Sequence, residues 1–186
     1  MSIKLADAII EHQTVIDRLA SLEDRLQAVV EVLATCFASK RTVYVCGNGG
    51  SASDAQHFAS ELTGRFEKDR KGYAAIALTT DCSALTAIGN DYGFEHIFSR
   101  QLESLGQEGD VLIVISTSGE SANLYCVAEK AQQMNIKSIG LLGRNGGRIA
   151  PLVDMAIIVD GQRTSRIQES HIFLLHFLCE AFDDTP

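Results

Sequence analysis

The stretch TVYVCGNGGSAS, residues 42–53, decides how the chain folds. Its first five residues are nearly all apolar, the composition of a strand covered on both faces. Gly47, Asn48, Gly49 and Gly50 interrupt that run, and Ser51, Ala52 and Ser53 lead into a helical pattern. Outward from it the same order repeats. Short apolar runs at 74–78, 111–115, 136–142 and 155–159 are each bounded by Gly, Ser, Thr, Asn or Asp. Helical segments fill the gaps at 52–64, at 83–88 with a second piece at 94–105, at 123–134 and at 167–182. Five strands alternating with helices predict an α/β fold: a parallel five-stranded sheet between helical layers, joined by right-handed crossovers.

Upstream, apolar residues recur at helical spacing through Leu5, Ile9, Val15, Ile16 and Leu19, then Leu22, Leu26, Val29, Leu33 and Phe37. They predict two helices broken near Ala20 and Ser21. Because these helices precede every strand, they are not crossovers; they either cap the sheet or pack on another subunit. The 186 residues form one domain, with 1–39 as the helical pair and 40–186 as the α/β core.

Composition narrows the function. With 46% hydrophobic and 22% charged residues the chain is neither disordered nor fibrous. Sixteen Lys and Arg against 24 Asp and Glu give a net charge of -8 without a basic run, which argues against a nucleic-acid surface. No apolar stretch approaches the length of a membrane span and no signal segment opens the chain, so the expected location is cytoplasmic. Cys36, Cys46, Cys82, Cys126 and Cys179 are odd in number, scattered and never spaced C-x-x-C, as reduced and mostly buried thiols are.

In a parallel sheet, ligands bind at the carboxyl ends of the strands. Two such ends carry small polar turns that run into helices: residues 47–53, and Ser116, Thr117, Ser118, Gly119, Glu120 and Ser121. Backbone N–H groups and hydroxyls converge there on a helix N-terminus, which is an anion site. The first turn also matches G-x-G-x-x-A, a weak dinucleotide signal, since the nearest acidic residue after the next strand, Asp81, lies too far along the chain. Neither turn carries a Walker lysine.

His57 and Glu61 stand at i and i+4 on the first of these helices; Gln168, Glu169, His171 and His176 lie on the last. If the two helices meet, His57, Glu61, Gln168 and His176 form a donor set suited to zinc, although glutamine is an unusual ligand. Read singly, His57 or His176 is a core histidine before it is a ligand, and Glu61 a solvated helix residue. Asn90, Asp91, Tyr92 and Gly93 read as a turn that breaks the helical segment after Leu85, and Arg65 either caps the helix of Glu61 or reaches an anion.

The run CGNGGSASDAQHFASELTGRF from Cys46, with AIALTTD from Ala75, AIGNDYGF from Ala87, FSRQ from Phe98, GDVLIVISTSG from Gly109 and RIQESH from Arg166, resembles the phosphoheptose isomerases. These are sugar isomerase (SIS) domain enzymes that convert sedoheptulose 7-phosphate to D-glycero-D-manno-heptose 7-phosphate. The resemblance implies substrate contacts at Asn48, Gly49, Gly50, Ser51, Arg65, Asn90, Asp91 and Gln168, and phosphate contacts at Ser116, Thr117, Ser118 and Ser121. It implies Glu61 and His176 as the paired acid and base. It implies zinc on His57, Glu61, Gln168 and His176, and a homotetramer with active sites between subunits. The family's S-T-S-G-N-S reads here with Glu120 in place of Asn, which sets a negative charge beside the phosphate loop; residues 159–165 also depart from the usual V-P-S start. A paralogous regulator that binds the replication initiator DnaA shares the fold but lacks the catalytic Glu and last His. Both are present here, which favours the enzyme.

Overall fold

The computed structural model describes residues 4–183. Two helices, α1 (Leu5–Leu19) and α2 (Glu23–Ala38), are joined by a single 3-10 turn at Ala20–Leu22, where the sequence pattern breaks. The core then alternates: β1 (Val43–Gly47), α3 (Gly50–Thr63), β2 (Ala75–Ala77), α4 (Cys82–Tyr92), α5 (Ser99–Leu105), β3 (Val111–Ser116), α6 (Ala122–Gln133), β4 (Lys137–Gly143), β5 (Met155–Val159) and α7 (Thr164–Glu180). All five strands pair in parallel in the order β2-β1-β3-β4-β5.

Alternate strand residues feed two separate cores. Val43, Val45, Ile113, Ile139 and Ile157 face α2, α3 and α7, where Leu33, Phe58 and Leu178 are fully buried. Tyr44, Cys46, Leu112 and Val114 face α5 and α6, packing on Leu102, Leu124 and Val127. This is the expected three-layer sandwich, and the period-2 alternation of near-continuous apolar strands builds it.

The chain crosses from one face to the other at β1 and β3, adjacent strands whose following helices lie on opposite faces. Between their carboxyl ends is the switch-point crevice, where this topology leaves room for a ligand.

The two leading helices are buried to different extents. α2 caps the sheet by burying Leu26, Val29, Leu33 and Cys36, whereas α1 buries only Val15 and Leu19 and leaves Leu5, Ile9 and Ile10 exposed. α4 buries none of its residues.

Several boundaries differ from the sequence reading: α7 starts earlier, at Thr164, and the piece expected at 94–105 is a 3-10 turn at Phe94–His96 followed by α5. α3 starts at Gly50, because Gly49 takes a φ of 55 and turns the chain directly into the helix. α4 does not break after Leu85. Asp81 caps its start by accepting from the Ala84 N–H at 2.9 Å, and the helix continues through Asn90 and Asp91 until Gly93, at φ 96, ends it. Cys36, Cys46 and Cys179 are buried, while Cys82 is exposed and Cys126 half-buried; all five are free thiols. No described helix is long and apolar enough to cross a membrane.

Candidate active site

Two loops line the switch point. In the first, Gly49 has open space beside it, and a Cβ added at Gly50 would strike the Gln168 side-chain amide. The glycine at position 50 therefore admits the Gln168 side chain from α7 against the start of α3. In the second loop, Ser116 ends β3 almost fully buried and its Oγ accepts from the Gly119 N–H at 3.0 Å. The Ser118 Oγ accepts from the Glu120 N–H at 3.2 Å. Ser121 precedes α6 without capping it with its side chain, and the N–H groups of the first turn of α6 have no acceptor within the helix. Glu120 is taken up elsewhere: its carboxylate accepts from the Arg148 N–H at 3.2 Å and stands 4.0 Å from the Arg148 guanidinium.

The meeting of α3 and α7 brings together the side chains that the sequence could only align. His57 Nε2 lies 2.8 Å from His176 Nε2, and Glu61 Oε1 lies 3.7 Å from His57 Nε2. One imidazole donates and the other accepts, so at least one of the pair is neutral in this arrangement. The Phe66 ring packs on His176 with centroids 5.6 Å apart. The site is open: the His57 side chain is 42% exposed and that of Glu61 21%.

Gln168 lies nearer the start of α3, with its side-chain amide against Gly50 and beside Asp54. Asp54 is buried, and burial raises its carboxyl above the usual range, opposed by the Gln168 amide and the nearby His57. Asn90 and Asp91 bond each other at 2.7 Å on the exposed end of α4, a helix that packs chiefly on the 3-10 turn Phe94–His96 rather than on α3 or α7. Among the described residues, no three His, Cys, Asp or Glu side chains form a ready-made metal cage.

Arg65 does not cap α3. It is exposed and donates to the Glu67 carbonyl at 3.1 Å, while Arg70 takes the capping role by donating to the carbonyls of Glu61 at 2.8 Å and Leu62 at 3.1 Å. Arg70 is itself buried 3.7 Å from Asp183, whose other oxygen accepts from the Glu67 and Lys68 N–H groups. Sequence reasoning passed over Asp54, Arg70 and Asn123. A signal existed for Asp54, which stands three residues before His57 on the same helix face.

The sheet order, the two small-residue loops at its switch point and the imidazole–carboxylate cluster together define a class, that of the SIS domain, whose family model matches residues 10–143. Phosphoheptose isomerase 1 of Campylobacter jejuni is 50% identical over 94% of this chain and 94% of that protein. A Helicobacter pylori phosphoheptose isomerase is 53% identical over 89% of this chain and 86% of its own. The solved phosphoheptose isomerase GmhA of Neisseria gonorrhoeae superposes with a TM-score of 0.92 at 44% identity, covering 97% of each chain. The chain belongs to the phosphoheptose isomerase family of SIS-domain proteins.

Proposed function

We infer that this chain is an aldose–ketose isomerase that converts sedoheptulose 7-phosphate to D-glycero-D-manno-heptose 7-phosphate, in heptose biosynthesis for lipopolysaccharide or capsule. The observation that carries this reading is the convergence of Glu61 and His176 beside His57, in a chain about half identical to proteins named phosphoheptose isomerase. Those relatives decide against the DnaA-binding regulator.

The reaction moves one proton between carbons and one between oxygens through an enediol. Glu61 takes a proton from C1 while His176 gives one to O2, forming the enediol. His176 then removes the proton from O1 as Glu61 returns its proton to C2, leaving the aldose. Each positioned acid or base of this kind contributes about 10²–10⁴ in rate. Ser116, Thr117, Ser118 and Ser121 hold the phosphate with the first turn of α6, and Asn48, Gly49, Gly50, Ser51 and Gln168 face the reacting end. Arg65, Asn90 and Asp91 complete the substrate contacts. Remote phosphate binding orients the sugar over the acid–base pair.

Zinc suits the donor set of His57, Glu61, Gln168 and His176. Glu61 and His176 each lie beside His57, and zinc would take the place of the hydrogen bond between the two imidazoles. Gln168 would join them from α7, leaving its place against Gly50. When bound, the metal would supply Lewis acidity at the carbonyl oxygen. We also assign a homotetramer with active sites between subunits, supported by the unburied α4 that carries Asn90 and Asp91 and by exposed Leu5, Ile9, Ile10, Phe173 and Phe177. The reduced thiols fit a cytoplasmic enzyme.

Purified protein incubated with sedoheptulose 7-phosphate should yield the aldose, and absence of product overturns the assignment. Zinc should copurify, and chelation should abolish turnover; full activity in a demonstrably metal-free preparation removes zinc from the reaction.

A further inference from the structure

The two switch-point loops are tied to each other by a pair of side-chain amides. Asn48 Nδ2 donates to Asn123 Oδ1 at 2.8 Å, and Asn123 Nδ2 donates to Asn48 Oδ1 at 2.8 Å, closing a ring. Asn48 belongs to the first loop and is half-buried; Asn123 is the second residue of α6, directly after the serine loop, and is 2% exposed.

Each carboxamide has two N–H donors and one oxygen with two lone pairs. The ring consumes one donor and one lone pair from each and fixes the orientation of both groups. Turning either amide over would set N–H against N–H and oxygen against oxygen. Asn48 is left with one N–H and one lone pair, aimed in a preset direction. Asn123 is too buried to present a polar group of its own to solvent.

We propose that Asn123 is a positioning residue that locks Asn48 and thereby couples the anion-binding loop to the loop at the reacting end of the sugar. This rests on the isomerase reading above. With the ring intact, capture of the phosphate at residues 116–121 also sets Asn48 relative to the acid–base pair, which is how remote binding energy becomes orientation. Without it, the anion loop keeps its own internal bonds at Ser116 and Ser118 while Asn48 swings free.

The test compares Asn123→Ala, Asn48→Ala and the double variant with the unsubstituted chain. Affinity for inorganic phosphate, measured by calorimetry, should change less than twofold in Asn123→Ala. The Kd for sedoheptulose 7-phosphate should rise about fivefold and kcat should fall about tenfold. The double variant should be no worse than Asn48→Ala, because the two residues act as one unit. Additive losses in the double variant, or unchanged sugar affinity and kcat in Asn123→Ala, overturn the proposal. So does a parallel loss of phosphate affinity, which marks a loop that has merely collapsed. The calorimetric arm needs no turnover, so an unsubstituted chain that binds the sugar phosphate without converting it sinks the isomerase reading alone.

Discussion

His171 and His176 sit five residues apart on α7, which at 100° per residue turns them about 140° from one another. His171 is fully buried against the sheet, and burial pushes its imidazole down to about 4, opposed by the backbone of Leu142. His176 reaches the open surface between α3 and α7 and meets His57. The same residue type on one helix thus serves the core in one case and the site in the other. Which side of α7 faces the sheet decides between them, and the apolar stripe of Ile167, Leu174 and Leu178 sets that side.

The largest expected difference between the two faces is catalytic. Glu61→Gln and His176→Gln should each lower kcat about 10²–10⁴-fold, the contribution of a positioned acid or base, with the thermal midpoint nearly unchanged. His171→Leu should retain most of the wild-type rate at neutral pH. Steady-state kinetics and thermal melts on the three variants check this; near wild-type turnover in either site variant would remove that residue from the acid–base pair.

The second difference lies in pH and stability. The unfolded His171 imidazole takes up its proton near 6.5 and the folded one near 4, so its contribution is complete above pH 6.5 and drains as pH falls toward 4. The depression corresponds to about 3 kcal/mol. Urea unfolding from pH 7 to 4 should show His171→Leu losing less stability than the wild type across that window. A wild-type slope that survives in His171→Leu would place the acid sensitivity elsewhere.

The smallest effect concerns Gln168, also on α7. The methyl group in Gly50→Ala collides with the end of the Gln168 side chain, which is flexible enough to move. The expected result is a loss of several-fold in kcat/KM, since misplacing a positioning group costs rate, with the melting temperature held within a few degrees. Unchanged kinetics would show that the placement of Gln168 against Gly50 is immaterial.

Much of the fold was legible because its signals are local. Near-continuous apolar runs marked β1, β3, β4 and β5, and glycine and serine turns marked the loops that line the site. The end of α4 was not, because Asn90 and Asp91 have turn chemistry and only the positive φ at Gly93 stops the helix. Arg65 stood where a cap is expected, but the Asp183 carboxylate holds the following loop so that Arg70 reaches the α3 carbonyls instead. Asn123 was illegible for the same reason: its partner, Asn48, is 75 residues away.

The sequence by itself determined the α/β class, the two small-residue loops at strand ends and, through resemblance, the family. These follow from periodicity, turn chemistry and motif order, all of which are written along the chain. Only the tertiary structure decided that α3 and α7 meet, that His57 and His176 come within hydrogen-bonding distance while His171 is buried, and that Asn48 is braced across the crevice by Asn123. Those are distances between elements far apart in the chain. They are set by how helix faces pack on a twisted sheet, a property of the assembled layers that local spacing does not carry.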